Sequence, residues 1–99
     1  MLRYTYHTIK SFRHSGIEQF FRTGSKRGIQ PAHAEKLANQ LQLLDFAKSA
    51  MDMNMPGWGM HKLSGDLKGH WSVKVNGNWR LTFTFEKENA ILVDYQDYH

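Results

Sequence analysis

The feature that most constrains the fold is an alternation of apolar and polar residues in the second half of the sequence. Between Trp71 and Tyr95 it runs through three segments that turn-forming residues separate. A period of two places successive side chains on opposite faces of a strand, so each segment predicts a half-buried β-strand. The apolar positions are Trp71, Val73, Val75, Trp79, Leu81, Phe83, Phe85, Ile91, Val93 and Tyr95. With a short strand at GMHKL before them, they predict a small antiparallel sheet with one apolar face.

The first half of the sequence predicts two helices. In SGIEQFFRTG, Ile17 and the two phenylalanines after it share one helix face, Ser15 can cap the start, and Gly24 can end the helix. A longer helix follows in QPAHAEKLANQLQLLDFAKSA, whose apolar stripe is Ala34, Leu37, Ala38, Leu41 and Leu44. Because both helices must bury their apolar stripes, we expect an α+β fold with two N-terminal helices on one face of a three- to four-stranded, mainly antiparallel sheet.

The register of the strands determines which side chains share the polar face. A three-residue loop at 76–78, with Asn78 in the left-handed conformation, and a second loop at 86–90 keep the apolar residues together. On the opposite face this register places Lys74 beside Arg80 and Arg80 beside Gln96. Since the helices cover the apolar face, we expect the polar face to be bare and to present this basic pair.

Length, charge and composition narrow the possible functions. The 99 residues suit one domain, and 13 Lys and Arg against nine Asp and Glu give a net charge of +4 and a preference for polyanions. The chain has no cysteine and no apolar run long enough to span a bilayer, which favours the cytoplasm and no membrane partner. Met51, Met53 and Met55 are expected to patch the core edge and not to bind metal.

The polar residues near the C-terminus suit the chemistry of RNA cleavage without a metal. That reaction needs a base for the 2′-hydroxyl proton, an acid for the leaving 5′-oxygen and a cation for the phosphate. Candidates for these roles, and for stacking on a base, are His61, Lys74, Arg80, Asp97, Tyr98 and His99. Each also has a structural interpretation, since an isolated histidine is often a surface or core residue and Arg80 can pair with Asp94 or Asp97. We find no metal-binding or phosphate-loop motif.

The segment MHKLSGDLKGHWSVKVNGNWRLTFTF, together with the terminal VDYQDYH, resembles the RelE/ParE toxin superfamily, and specifically its HigB branch of host-inhibition-of-growth killer proteins. The earlier segment IKSFRHSGIEQFF fits as well, so the resemblance covers residues 9–99 and leaves 1–7 as a possible extension. It implies a RelE-like fold and a ribosome-dependent endoribonuclease that cuts mRNA in the 30S A site without a cofactor. It also implies a helix-turn-helix antitoxin of the HigA type, with operator DNA bound only through the antitoxin complex.

The resemblance also implies roles for individual residues. The catalytic set would be His61, Arg80, Asp97, Tyr98 and His99, with Asn78 at a supporting position. Apart from the resemblance, we predict that Lys62, Lys68, Lys74 and Asn78 bind RNA. Within the catalytic set, Asp97 and His99 are candidates for proton transfer, Arg80 for phosphate charge and His61 for a supporting role. One departure is HKLSGD, where many relatives have HPLKGD, so that Ser64 replaces a lysine. We hypothesise that Lys62 supplies the missing cation.

Two other functions stay open at this point. A poison of DNA gyrase, the activity of the ParE branch, needs neither the DYQDYH tail nor His61, so these features favour the nuclease. A noncatalytic RNA-binding domain is favoured only if Ser64 disables the site. Codon preference, the division between general acid and general base, and the stoichiometry of the antitoxin complex cannot be inferred from the sequence.

Overall fold

The chain folds as two helices followed by a four-stranded antiparallel sheet. The structure is a computed structural model and describes residues 7–98. The helices are α1 (Ser15–Thr23) and α2 (Ala34–Leu44), and short 3-10 turns lie at Pro31–His33, Ala50–Met53 and Gly65–Leu67. The strands are β1 (His61–Lys62), β2 (Trp71–Asn76), β3 (Trp79–Glu86) and β4 (Asn89–Asp97), and they neighbour one another in sequence order. The predicted α+β architecture is confirmed. Within residues 7–98, no helix is long and apolar enough to cross a membrane.

The core lies between the helices and one face of the sheet. Leu37, Leu41 and Leu44 of α2 are buried in one cluster with residues of the sheet such as Leu81 and Phe83. Burying each such side chain contributes about 1.5–3 kcal/mol. The predicted stripe is wrong at one position, because Ala38 is exposed. Gln40 is buried instead, and its Nε2 donates to the carbonyl oxygen of Lys74 at 2.8 Å, which ties α2 to β2.

Helix α1 has a cap at each end, a side chain at its start and a backbone amide at its end. Nδ1 of His14 accepts a hydrogen bond from the amide of Ile17 at 3.0 Å, so His14 is the N-cap. The prediction that Ser15 caps the helix was therefore wrong by one residue, and Ser15 is the first helical residue. At the other end Gly24, with φ 83°, donates its amide to the carbonyl of Phe20, as a left-handed C-cap does.

The turn between β2 and β3 is tighter than predicted, although the register beyond it is correct. Val73 pairs with Leu81 and Lys74 with Arg80, but Asn76 pairs with Trp79 and leaves Val75 as a bulge. The turn thus contains only Gly77 and Asn78. Gly77 adopts the left-handed conformation, with φ 58°, and Asn78 is not among the residues with positive φ. The bulge restores the pairing of apolar residues that the longer loop was expected to give.

The turn between β3 and β4 shows the same kind of compensation. Glu86 pairs with Asn89, so Phe85 faces Ala90 and not Ile91 as predicted. One extra residue in β4 near Leu92, whose φ is 55°, then shifts the register back, and the predicted pairing of Leu81 with Tyr95 is present.

The outer face of the sheet, on the side away from the helices, carries His61, Ser72, Lys74, Arg80, Thr82, Asp94 and Gln96. Its centre is not bare as predicted, because Ser72 and Thr82 are 0% and 1% exposed. The connection between β1 and β2 also folds against this side, where the carbonyl of Gly69 accepts a hydrogen bond from Thr84 Oγ1 at 2.7 Å. Lys74 and His61 stay exposed.

The methionine segment was predicted correctly at one position only. Met53 is fully buried in the core. Met51 and Met55 are 58% and 41% exposed, so they do not patch the core edge. A 3-10 turn over Ala50–Met53 turns Met53 inward and leaves its neighbours in solvent.

The segment before α1 runs along β4. Ile9 forms a parallel bridge with Ala90, and Phe12 forms one with Val93. The imidazole of His7 pairs with the carboxylate of Asp45, just after α2. The rest of the predicted extension, residues 1–6, lies outside the described residues.

Candidate functional site

Two cations lie side by side on the outer face, next to the β2–β3 turn. Lys74 and Arg80 are direct cross-strand partners, and Arg80 also pairs with Gln96 of β4. Lys74 is exposed and Arg80 is half-buried. The two adjacent positive charges of Lys74 and Arg80 create a local positive potential, which suits the binding of a phosphate. A bound phosphate would also relieve the repulsion between them.

Asp94, whose carboxylate lies on the outer face, accepts hydrogen bonds from residues of its own strand. Asp94 Oδ2 accepts from Gln96 Nε2 at 2.9 Å, and its Oδ1 accepts from the amide of Tyr95 at 2.8 Å. Gln96 Nε2 also donates to Thr82 Oγ1 at 3.2 Å. Among residues 7–98 the ion pairs are Glu18–Arg22 and His7–Asp45, both on the helical side. Within these residues, no ion pair joins Asp94 to Arg80.

His61 lies on the same face as the two cations. It pairs with Ser72, whose side chain points away from the helices, and it is exposed. Ideal strand spacing puts its Cα about 8 Å from that of Lys74 and about 12 Å from that of Arg80. An RNA strand that crosses this face can contact all three side chains.

Asp97 lies on the other side of the sheet. It is the register partner of Trp79, whose ring stacks on Tyr95 at 4.5 Å on the helix-facing side. Burial raises the pKa of the Tyr95 phenol above its ordinary value; the hydrogen bond from the Gln30 amide opposes this rise, and the negative charge of Asp97 adds to it. From the sequence we expected Asp97, Tyr98 and His99 to lie over the open face within reach of Arg80, and the strand register contradicts this for Asp97. Asp97 is exposed.

Tyr98 returns to the outer side. Its amide donates to the carbonyl of Asn78 at 2.8 Å, which extends the β3–β4 pairing by one residue. Because side chains alternate, Tyr98 lies on the side of Gln96 and Arg80. Asn78 is exposed at the same end of the sheet. His99 lies outside the described residues.

The structure does not bring Lys62 and Lys68 together with this group. Lys62 pairs with Trp71, and its Nζ lies 5.5 Å from the Trp71 ring centroid, on the helix-facing side. Lys68 follows the Gly65–Leu67 turn, at the end of the sheet opposite to Asn78. Ser64 lies in the same connection and is exposed. The structure therefore places His61, Lys74, Arg80 and Tyr98 on the same side of the sheet, with Asn78 at the end that carries Tyr98.

Comparison with known proteins assigns this chain to a family. The profile of the HigB-like toxins, described as RelE-like toxins of type II toxin-antitoxin systems, matches residues 10–99. The chain belongs to the HigB-like toxin family. As a type II toxin it has an antitoxin partner.

Two curated relatives span nearly the whole of this HigB-like toxin. Endoribonuclease HigB of Proteus vulgaris is 36% identical over 91 residues, which cover 92% of this chain and 99% of the relative. Toxin HigB-1 of Vibrio cholerae serotype O1 is 32% identical over 90 residues, which cover 89% of this chain and 94% of the relative.

In the part of the chain that the structure describes, the outer face of this HigB-like toxin holds neither a metal-binding cluster nor the cavity found between the helices. Within residues 7–98, no group of three or more His, Cys, Asp or Glu side chains is arranged to hold a metal ion. A cavity of about 610 Å³ lies between α1 and α2, lined in part by Phe20, Phe21, Leu41 and Phe46. Its mostly apolar wall does not suit a phosphodiester.

A hydrogen bond that supports the C-terminal strand has no signal in the sequence. Nδ1 of His33 lies 2.6 Å from the phenol oxygen of Tyr95, and both residues are buried. The two residues are 62 positions apart. Nothing in the local pattern around His33 points to this partner.

Proposed function

We propose that this HigB-like toxin is a ribosome-dependent endoribonuclease that cleaves mRNA in the A site of the 30S subunit and so stops translation. The observation that carries the proposal is the shared outer face of His61, Lys74 and Arg80. The name of the Proteus vulgaris relative, an endoribonuclease, supports the same chemistry.

The proposed reaction is a metal-independent transesterification of RNA. A base removes the proton of the 2′-hydroxyl, whose oxygen attacks the adjacent phosphorus. The bond to the 5′-oxygen breaks, an acid gives that oxygen a proton, and a 2′,3′-cyclic phosphate is left. Charge that develops on the phosphate oxygens needs a cation, and the planar guanidinium of Arg80 can bind two of them at once.

The positions of the side chains suggest how the roles divide. His61 is on the face of Arg80, so it has direct access to a phosphate bound there. Tyr98 lies at the end of the same face, where its ring can stack on a base or its hydroxyl can donate a hydrogen bond. Asp97 and His99 remain candidates for proton transfer, and Asp97 would act from the strand end. Lys74 and Asn78 would bind the RNA backbone.

We assign a peripheral part to Lys62 and Lys68. Both are exposed, and neither lies beside Arg80, so each would attract RNA without touching the scissile phosphate. The hypothesis that Lys62 replaces the lysine lost at Ser64 requires that Lys62→Ala lower mRNA cleavage. Full cleavage by that variant would exclude it.

The proposed partners follow from the family. We propose that the antitoxin is a HigA-like helix-turn-helix protein and that operator DNA is bound only through the antitoxin complex. The other partners would be the ribosomal A site and its mRNA, which places the toxin in the cytoplasm.

The deciding experiment maps mRNA ends in cells after brief expression of the toxin, together with toeprinting on translating ribosomes in vitro. New ends at A-site codons are expected. Binding to ribosomes without new ends would indicate a noncatalytic RNA-binding domain, and trapping of linear DNA by gyrase would indicate a gyrase poison. We also expect His99→Ala to relieve growth inhibition while circular dichroism shows an unchanged fold; undiminished toxicity would argue against a role for His99.

A further inference from the structure

His33 is held against the strand that carries the proposed catalytic tail. It ends the 3-10 turn before α2, is 6% exposed, and its Nδ1 lies 2.6 Å from the phenol oxygen of Tyr95. The amide of Gln30 donates to the same oxygen at 3.2 Å. Since that oxygen already accepts a hydrogen bond from the Gln30 amide, we assign the phenol O–H as the donor to Nδ1, which requires the neutral His33 tautomer with its proton on Nε2.

A chain of contacts leads from this hydrogen bond to the end of β4. Trp79 stacks on Tyr95 with ring centroids 4.5 Å apart, and its edge-to-face contact with His33 has a centroid distance of 5.7 Å. Trp79 is also the register partner of Asp97. The next residue, Tyr98, is held by its hydrogen bond to the carbonyl of Asn78.

The end of β4 has less support than its beginning. The parallel bridges from Ile9 and Phe12 reach Ala90 and Val93 and go no further within the described residues. Beyond Val93 the main-chain pairing of β4 is to β3. On the helix-facing side, the packing at this end is the cluster of Tyr95, Trp79 and His33, with His14 edge-on to Tyr95 at 5.2 Å.

We propose that His33 is a positioning residue for the proposed catalytic end of the chain. By accepting a hydrogen bond from the Tyr95 hydroxyl, His33 fixes the stack of Tyr95 on Trp79. The stack in turn fixes the backbone that carries Asp97 and Tyr98. The effect on catalysis rests on the proposed function. The effect on the backbone does not, and the two are measured separately.

The variants are chosen to separate this role from simple packing. His33→Leu keeps the size but removes the acceptor, and Tyr95→Phe removes the donor but keeps the ring. His33→Asn places an amide oxygen near the position of Nδ1 and is the conservative rescue. The double variant of His33→Leu and Tyr95→Phe tests whether the two residues act through one bond.

Two amides report on the backbone. The amide of Tyr98 donates to Asn78 at the proposed catalytic end, and that of Ala90 donates to Thr8 at the other end of β4. We expect His33→Leu and Tyr95→Phe each to lower the hydrogen-exchange protection of Tyr98 by about three- to tenfold and to leave Ala90 unchanged. His33→Asn should restore the protection, and the double variant should be no worse than either single variant.

Cleavage of mRNA on programmed ribosomes gives the second measurement. We expect the same single variants to lower kcat while KM stays constant, with rescue by His33→Asn. Unchanged protection of Tyr98, or an equal loss at Tyr98 and Ala90, would overturn the positioning role. If the unmodified protein cleaves no mRNA, the proposed function fails, and the amide measurement still decides the structural claim.

Discussion

Lys74 and Arg80 face each other across β2 and β3 on the outer face of the sheet. Two positive charges in a directly opposed pair destabilise the free protein, and a bound polyanion relieves their repulsion. The pairing of Lys74 with Arg80 is therefore better explained by ligand binding than by a contribution to stability. Substitution of one of the two residues should change both the stability of the protein and its affinity for RNA.

Lys74→Thr should stabilise the protein and weaken its binding to RNA. Removing the repulsion raises the free energy of unfolding by about 0.2–1 kcal/mol, which urea denaturation measures. Loss of one phosphate contact reduces the slope of log K against log salt by about 0.7 for a single strand, measured by fluorescence anisotropy. Lys48→Thr, at an exposed lysine beyond α2, is the control and should keep the slope. Equal slopes in both variants would contradict an RNA contact at Lys74.

Arg80→Ala should lower the rate of cleavage by about 10²–10³, because one group that stabilises charge on the phosphate is lost. Arg80→Lys keeps the charge but loses the two-pronged geometry, so its rate should lie between those of Arg80→Ala and the unmodified protein. Single-turnover cleavage on programmed ribosomes measures both. Arg22→Ala, on α1, removes an arginine paired with Glu18 and should cleave at the normal rate. A normal rate for Arg80→Ala would remove Arg80 from the mechanism.

His61 and Lys62 offer a matched comparison, since adjacent residues of a strand point to opposite faces. His61→Gln should lower kcat by about 10²–10⁴, the usual contribution of a general acid or base. Lys62→Gln, one residue further along, should lower kcat much less. The same single-turnover assay, with RNA binding measured in parallel, tests this pair. The opposite order of effects would mean that the scissile phosphate lies on the helix-facing side.

Gly16 and Gly28 permit close contact between α1 and the loop before α2. A Cβ on Gly28 would lie 2.5 Å from Gly16 Cα, and one on Gly16 would lie 2.6 Å from the Gly28 carbonyl oxygen. Because backbone must move in either case, we expect Gly28→Ala to cost about 1–3 kcal/mol of unfolding free energy. Gly24→Ala is the comparison, because its new Cβ would meet nothing within 4 Å. Any loss of stability in that variant comes from strain at positive φ and not from a clash. Thermal unfolding compares them, and an unchanged Tm for Gly28→Ala would refute the clash.

The stability of the protein should fall as the solution becomes acidic, in part through His33. Burial lowers the pKa of His33 below its ordinary 6.5. As the pH falls through 6.5, the unfolded chain therefore takes up a proton here before the folded chain does, and stability is lost from 6.5 downward. His33→Asn does not titrate and should show a shallower loss between about pH 7.5 and about pH 5 in urea unfolding. Parallel curves for the two proteins would show that His33 does not titrate differently on folding.

The strands were predictable because their signal is local. Alternation assigns Leu81, Phe83 and Val93 to the core face without knowledge of any distant contact, and one buried face tolerates only one register. The turns were not predictable at the same level, because a bulge at Val75 or near Leu92 changes the loop length and leaves the paired faces intact. The basic pair of Lys74 and Arg80 followed from register alone and was correct.

The sequence by itself determined the α+β class, the helix-facing side of the sheet and the positive row on the outer face, because hydrophobic periodicity and turn chemistry act over a few residues. Only the tertiary structure decided that β4 continues as far as Asp97, that Ser72 and Thr82 are buried, and that His33 bonds to Tyr95. Those features depend on how a strand ends and on which distant side chains meet there, and the three-dimensional packing of the whole chain fixes both.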